Sequence, residues 1–412
     1  MNTNPLSQKA QQTLEYLQKL VTTLPLFQRL TDDMTAIQEK ADHFRQFQDV
    51  LILGTGGSSL GGQAITALQE SASPKLHFLD NIDAHTFADV LKTVSPHKTG
   101  VIAISKSGNT AETLMQLLTC LKVWDETPLA HHFLIVSEPG QNAIREVASK
   151  FSLPTLDHPD DIGGRFSAFT VVGMLPAFIA GIDGQSLRQG ALDVLANLKE
   201  ATVHDSPALV GALTQFSLCQ QHVNQSVLFT YCDRLQLLAS WYCQLWAESV
   251  GKKNAIGLAQ GTTPIRAAGA TDQHSQLQLY LDGPRDKFFT VLTLAQQHSL
   301  DSAQADFFDH PALTTLHNKT MGQLMIAEQM ATIDTLKANN CPVRELKLEQ
   351  LTPRSLGSLM MHFILETLAM AHLLEVNPFD QPAVEQGKKL ALDYLSRAGG
   401  CAKHGAEVLI EE

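Results

Sequence analysis

Residues 105–110, Ser-Lys-Ser-Gly-Asn-Thr, set three hydroxyl side chains and one lysine between an apolar run and a helix-like stretch, a combination that suits a phosphate. Val101, Ile102 and Ile104 read as a buried strand, and Thr110 as the N-cap of a helix with Thr113 and Leu114 in its first turns. A helix N-terminus offers unpaired N–H groups and a partial positive charge, so Ser105, Lys106, Ser107 and Thr110 make a cradle for an anion. An ordinary strand-to-helix turn would use the same residue types.

Four titratable residues stand out for their surroundings. Arg165 lies in DDIGGRFSAFTVVGM, between paired glycines and an apolar helical segment, a context that surface placement explains poorly; a solvated arginine in a capping turn is the plain alternative. Glu248 falls in the last turn of a helical pattern that ends at Gly251, where a carboxylate meets the unfavourable end of the helix dipole; an ordinary solvated glutamate is its plain alternative. His274 follows an N-cap at Thr271 or Asp272, a context in which a lone histidine is more often structural. Lys388 shares a helical stripe with Val384, Ala391 and Leu395, the face expected to be buried, whereas Lys389 pairs with Glu385 at i,i+4. Burying an ammonium is expensive unless it is paired or used, which favours Lys388 as the functional lysine.

The elements that must position these groups read as two α/β units. Residues 5–45 carry helical periodicity, with Leu14, Leu17, Leu20 and Val21 on one face and Met34, Ile37 and Phe44 in a second segment. VLILGTGGSSLGG at 50–62 is a buried strand, a glycine-rich turn and then a helix over 64–68. The order strand, glycine loop, helix and a second strand ending at Asp80 invites a dinucleotide reading, but Ser59 stands where the third glycine of that fingerprint belongs. Ser58 and Ser59 instead suit small polar contacts. Strands over 76–79, 101–104 and 133–136, each followed by a helical pattern, predict a doubly wound parallel sheet whose crevice is lined by the turns at 54–59 and 105–110. Helices over 184–222, with Pro207 near their junction, lead to a second unit: a strand at 227–231 and a helix at 235–250. A loop through Thr262, Thr263, Pro264 and Arg266 then precedes a strand at 288–294. Residues 321–330 and 356–376 read as long core helices, with His362 and His372 packed or at the rim. A last helix runs from Pro382 to Arg397, with Gly399 just past its end.

Composition narrows the classes. With 412 residues, 44% hydrophobic and 17% charged, the chain has enough apolar material for a large core. A net charge of -12, from 30 Lys+Arg against 42 Asp+Glu, argues against a general partner for nucleic acid or acidic membrane and leaves room for a local basic pocket. Six cysteines without a CxxC pair suit reduced thiols and make a zinc site unexpected. The polar start MNTNPLSQKA lacks the apolar core of a signal peptide, and no run of about 18 apolar residues is evident, so a cytoplasmic protein is expected.

Together the stretches resemble the glucose-6-phosphate isomerase family, over nearly the whole chain. GTGGSSLGG at 54–62, SKSGNTAET at 105–113, GGRFS at 163–167, AESVGK at 247–252 and FDQPAVEQGKKLA at 379–391 carry the resemblance, with DQH at 272–274 between the last two. It implies a helical segment over 1–45, sugar-isomerase α/β domains over 46–183 and 184–378, and a C-terminal helix over 379–412 that completes the site. It implies isomerisation of glucose 6-phosphate and fructose 6-phosphate in glycolysis and gluconeogenesis, through ring opening and an enediol, without metal or cofactor. By the same resemblance Glu248 is the proton-transferring base, Arg165 its electrostatic partner, and His274 with Lys388 the ring-opening pair. Ser105, Lys106, Ser107 and Thr110 take the phosphate, while Gly57, Ser58 and Gln381 contact substrate. A homodimer is implied, with His274 reaching the partner's site. The chemistry fits: a ketol isomerisation needs a base near two carbons, a cation for the enediolate and an acid-base group for the ring. A non-catalytic sugar-phosphate sensor would use the same cradle without needing Glu248, Arg165 and His274 together, and a nicotinamide enzyme is disfavoured by Ser59.

Overall fold

The computed structural model describes residues 5–70, 74–297 and 300–397. The strands β1 (Asp49–Leu53), β2 (Lys75–Leu79), β3 (Thr99–Ile104), β4 (Phe133–Ser137) and β5 (Thr155–Asp157) form a parallel sheet in the order β2-β1-β3-β4-β5. A second parallel sheet holds β6 (Gln225–Thr230), β7 (Thr263–Ala268), β8 (Lys287–Leu294) and β9 (Val343–Leu348) in the order β7-β6-β8-β9. Both are doubly wound, as expected: the chain reverses direction between β1 and β3 in one and between β6 and β8 in the other.

The pleat sorts each central strand between two cores. Val50, Ile52, Ile102, Ile104, Leu134 and Val136 enter the large core that the two sheets share, while Leu51, Leu53, Val101, Ala103, Phe133 and Ile135 face an outer core. The second sheet repeats this, with Leu228 and Leu292 facing the shared core and Val227, Phe229 and Val291 an outer one. Each of the Val, Leu, Ile and Phe side chains contributes about 1.5–3 kcal/mol by leaving water, which explains the apolar runs within these strands. The helices Pro5–Thr23 and Thr35–Phe44, with Met34 at the N-cap of the second, close the shared core with buried Leu14, Leu17, Val21 and Phe44 and partly buried Leu20, Met34 and Ile37.

Several expectations are corrected. The stretch read as a loop through Thr263, Pro264 and Arg266 is β7, an edge strand on which Pro264 opposes Ser226. A proline is tolerated at an edge, where one side of the strand has no ladder to complete. The helix Pro353–Leu373 is long and apolar enough to cross a membrane by length and composition, but 83% of its apolar window is buried, which marks it as the central helix of the shared core. The helix Met321–Ala338 is less of a core element than expected, since Met321, Leu324 and Met330 are exposed. The final helix is a tight turn over Pro382–Val384 followed by Glu385–Arg397, with no buried side chain. Its predicted end at Gly399 lies outside the described residues.

Candidate active site

The turns after β1 and β3 flank the point where the first sheet reverses, at the carboxyl ends of its strands. After β1 the chain makes a tight turn at Gly56–Ser58 and enters the helix Leu60–Thr66. Ser59 is fully buried and takes a hydrogen bond from Gln63 Nε2 at 2.8 Å, and the same amide donates to Asp80 Oδ2 at 2.8 Å. The aspartate that a dinucleotide reading would place on a ribose is thus engaged by the protein itself. Gly57 is a point of close approach: a Cβ there would lie 2.3 Å from the carbonyl carbon of Gly164 and 2.8 Å from the nitrogen of Arg165. The glycine turn and the GGRF turn therefore touch backbone to backbone.

In the turn 105–110, the expected N-cap is corrected in one respect. Thr110 occupies the N-cap of the helix Ala111–Val123, but its side chain makes no capping bond; its hydroxyl accepts one from Ser105 Oγ at 3.0 Å. The N–H groups of the first turn thus lack a side-chain cap, leaving them to attract an anion. Gly108 has φ +67 and a Cβ there would overlap Asn142 Oδ1 at 2.1 Å, so the loop sits tightly on the next connection. Ser107 is exposed and Lys106 half-buried. The Lys106 ammonium donates to the carbonyl of Asp160 at 2.7 Å, tying the cradle to the segment that leads into Gly163, Gly164 and Arg165.

Arg165 and Glu248 meet. Arg165 is 4% exposed; its Nη1 donates to Glu248 Oε2 at 3.4 Å and to Gln381 Oε1 at 3.2 Å, and its Nε to Ser249 Oγ at 2.9 Å. Nη2 donates to the carbonyls of Pro378 and of Asp380, the latter at 3.0 Å, and the guanidinium lies 5.2 Å from the Phe166 ring centre. Burial pulls the guanidinium below its usual pKa, opposed by the charges of Glu248 and Asp380. Glu248 ends the helix Gln236–Val250, with its side chain 31% exposed and Oε1 accepting from Gln244 Nε2 at 3.1 Å. Arg165 offsets the unfavourable dipole of that helix end. One carboxylate is thus held by two neighbours while remaining part-exposed. Ser58 stands half-buried in the adjoining turn.

Two assigned residues are not brought to this cluster. His274 is exposed on the tight turn Thr271–His274, after β7. Asp272 does not cap a long helix; its carboxylate accepts from the Ala268 N–H at 2.7 Å and from Ser275 Oγ at 2.5 Å, fixing the turn to the end of β7. Glu248 lies at the opposite edge of the same sheet, because its helix runs back along the strands and ends where Trp246 Nε1 bonds Thr262 Oγ1 at 2.9 Å, just before β7 begins. A six-residue strand spans on the order of 20 Å, so one chain cannot bring His274 onto its own Glu248. Lys388 is the other. It is exposed, not buried, and pairs with Glu385 at 2.8 Å, the role expected of Lys389. An amphipathic stripe specifies a buried face only where another surface meets it, and among the described residues nothing covers this helix.

Sequence reasoning passed over Gln244, Ser249, Lys252 and Asp380. The Lys252 side chain is 10% exposed and its ammonium donates to Asn377 O at 2.5 Å, to Asp380 Oδ1 at 2.7 Å and to the Asp380 carbonyl. Gln244 was findable, four residues before Glu248 on one helix face; the others bond to segments too distant in sequence for spacing to reveal.

A family model described as phosphoglucose isomerase matches residues 12–404. A glucose-6-phosphate isomerase of Carboxydothermus hydrogenoformans is 34% identical over 386 residues, covering 89% of this chain and 83% of its own. A solved structure from Thermus thermophilus, described as a hypothetical protein, has a TM-score of 0.87 at 32% identity and covers 95% of this chain and 96% of its own. A glucose-6-phosphate isomerase from Chlamydia trachomatis shares the fold, with a TM-score of 0.75 at 21% identity over 94% of this chain and 87% of its own. With its two doubly wound sheets and the cluster at their junction, the chain belongs to the phosphoglucose isomerase family.

Proposed function

We infer that this protein interconverts glucose 6-phosphate and fructose 6-phosphate, as a soluble cytoplasmic enzyme of glycolysis and gluconeogenesis. The observation that carries this reading is the Glu248 carboxylate, part-exposed and held by Arg165 and Gln244, with Arg165 in the segment that the Lys106 ammonium ties to the turn 105–110 through the Asp160 carbonyl. The substrate phosphate sits on Ser105, Lys106, Ser107 and Thr110 and the first turn of the helix Ala111–Val123, so binding energy at one end orients the carbons at the other. Glu248 takes the proton from C2 of the open-chain aldose and returns it to C1. Arg165, fixed in a largely desolvated place, stabilises the enediolate. Gln381 and Ser58 position the sugar hydroxyls beside Gly57. His274 and Lys388 open the ring.

His274 serves the site of a second copy of this chain. Its placement at the far edge of the second sheet supports this, as do exposed Leu279, Met321 and Leu324 on the neighbouring helices. Refolding Glu248→Gln and His274→Ala chains together should then give mixed dimers with one intact site and recover roughly a quarter of wild-type activity under two-fold symmetry. Mixed dimers without activity above the parents would overturn the shared site.

The direct test of the function is turnover of fructose 6-phosphate in a coupled assay with and without a chelator. Turnover unaffected by chelation is expected. Saturable binding without turnover would make the protein a sensor, and activity lost on chelation and restored by a divalent ion would overturn a purely acid-base mechanism.

A further inference from the structure

We propose that Lys252 is a positioning residue for the isomerisation, the second half of a two-cation clamp that holds segment 377–381 against the catalytic helix. The inference rests on the isomerase reading above and adds to it a residue with no assigned role. The clamp is built from one short stretch. Glu248 and Ser249 bind Arg165, and Lys252, just past the Gly251 cap, binds the segment directly. Arg165 reaches the same segment from its other side, through the carbonyls of Pro378 and Asp380 and the amide oxygen of Gln381. Asp380 receives both cations on one carbonyl and Lys252 again on its carboxylate.

The chemistry of Lys252 separates positioning from contact with substrate. An ammonium has three N–H donors, and the three acceptors here, Asn377 O, Asp380 O and Asp380 Oδ1, use all of them. With its side chain 10% exposed it has no donor left to offer a sugar. Its position at a helix C-terminus is also where a cation is favourable. What it fixes is the start of the chain toward Lys388: Asn377 Nδ2 donates to Asp380 Oδ2 at 3.0 Å and Asn377 Oδ1 accepts from the Phe379 N–H at 3.0 Å, so the segment is a compact turn. Lys252 holds that turn at both ends, and Gln381 leaves it pointing at Arg165. Without the ammonium the turn keeps the packing of Phe379 on Phe166 and the bonds to Arg165, which must also hold Glu248.

The test uses the full chain with Lys252→Met, which keeps an unbranched side chain one atom shorter and removes all three donors, and with Asp380→Ala, a change at an exposed carboxylate that leaves both carbonyl acceptors in place. Amide hydrogen exchange over 376–381 reads the clamp without any reference to activity; both variants should exchange faster there and as wild type over β1 and β3. In the coupled assay, Lys252→Met should lower kcat by about 10²-fold with KM within about threefold, the pattern of misplaced reacting groups. Combined with Gln381→Ala, Lys252→Met should add little further loss, because it acts through the segment that carries Gln381. Lys252→Arg should recover part of the kcat. Unchanged exchange over 376–381 in both variants overturns the clamp, as do fully additive losses with Gln381→Ala or a loss confined to KM. If Lys252→Met does not fold, Asp380→Ala decides by the same exchange and kinetic criteria. Failure of wild-type turnover with faster exchange in the variants would sink the isomerase reading and leave the clamp standing.

Discussion

Gly57→Ala provides a direct test of how the cluster is held. The added methyl would sit 2.3 Å from the carbonyl carbon of Gly164, 2.6 Å from its oxygen and 2.8 Å from the nitrogen of Arg165. All three are backbone atoms, so no side chain can rotate away, and separations under 3.0 Å are essentially never seen for a real Cβ. The GGRF turn must retreat by about 1 Å, at a cost of about 1–3 kcal/mol typical of overpacking. Arg165 moves with it, and its contact with Glu248, already 3.4 Å, stretches beyond hydrogen-bonding reach. A displacement of about 1 Å at a reacting group can cost on the order of 10²-fold, so kcat should fall by about that factor while KM changes less. The control is Gly163→Ala in the same turn, where the nearest atom to the new methyl is a Phe166 ring carbon at 3.8 Å; its kcat should stay within about threefold of wild type. The assay is steady-state turnover of both variants, with thermal unfolding to confirm that each is folded. A Gly57→Ala enzyme with wild-type kcat, or two variants equally impaired, would refute the claim that this backbone contact sets the position of Arg165.

Glu248→Gln should lower turnover by at least about 10²-fold while leaving inhibition by a phosphorylated linear sugar acid nearly unchanged, and Lys106→Ala should do the reverse, weakening that inhibition more than it slows saturated turnover. Exchange of the substrate C2 hydrogen at the wild-type rate in Glu248→Gln would assign the base elsewhere. Acid sensitivity should trace in part to His158, which is 1% exposed with Nδ1 2.7 Å from the Pro159 carbonyl and is pushed down to about 4 by burial. It stays neutral in the folded chain to about pH 4 but takes a proton in the unfolded chain near pH 6.5, so stability on the order of 3 kcal/mol is lost as pH falls through that window. In urea unfolding at pH 7 and 4.5, His158→Gln should lose less stability than wild type; an equal loss would place the titration on other groups.

What was legible in the sequence follows from burial. Strands β1, β3, β4, β6 and β8 are covered on both faces, so their apolar runs announce themselves. The three missed strands are edges: β5 has three residues and two of them exposed, β7 carries Pro264, and β9 exposes Glu345 and Lys347 between half-buried neighbours. An edge strand owes its place to one neighbour, and nothing local records which. The same limit applies at the site. Arg165 and Glu248 were conspicuous because each sits in a local setting that disfavours it, whereas Lys252 looks like one of two ordinary lysines until Asp380, over a hundred residues away, is beside it. Lys388 shows the converse error, a local pattern that promised a partner surface the described chain does not provide.

The two sheets also show how one topology serves two purposes. In the first, the reversal between β1 and β3 is flanked by the turn 105–110, which leads into a helix without a side-chain cap. After β6 and β8 in the second sheet, the segments that follow the strands bond to one another. Gln297 Nε2 donates to the carbonyl of Tyr231 at 3.0 Å, the Tyr231 hydroxyl donates to Gln273 Oε1 at 2.9 Å, and Gln273 Nε2 donates to Glu328 Oε2 at 2.7 Å. Burial pushes the Tyr231 phenol up to about 12, so it remains a donor throughout the physiological range. These bonds fix Gln273 in the turn beside His274, which is itself exposed. A group fixed so firmly in the backbone yet exposed at its tip is what a second chain would need to meet in a defined place. The cluster around Glu248, by contrast, draws on the amino edge of this sheet and the carboxyl edge of the other, so neither α/β unit alone could assemble it.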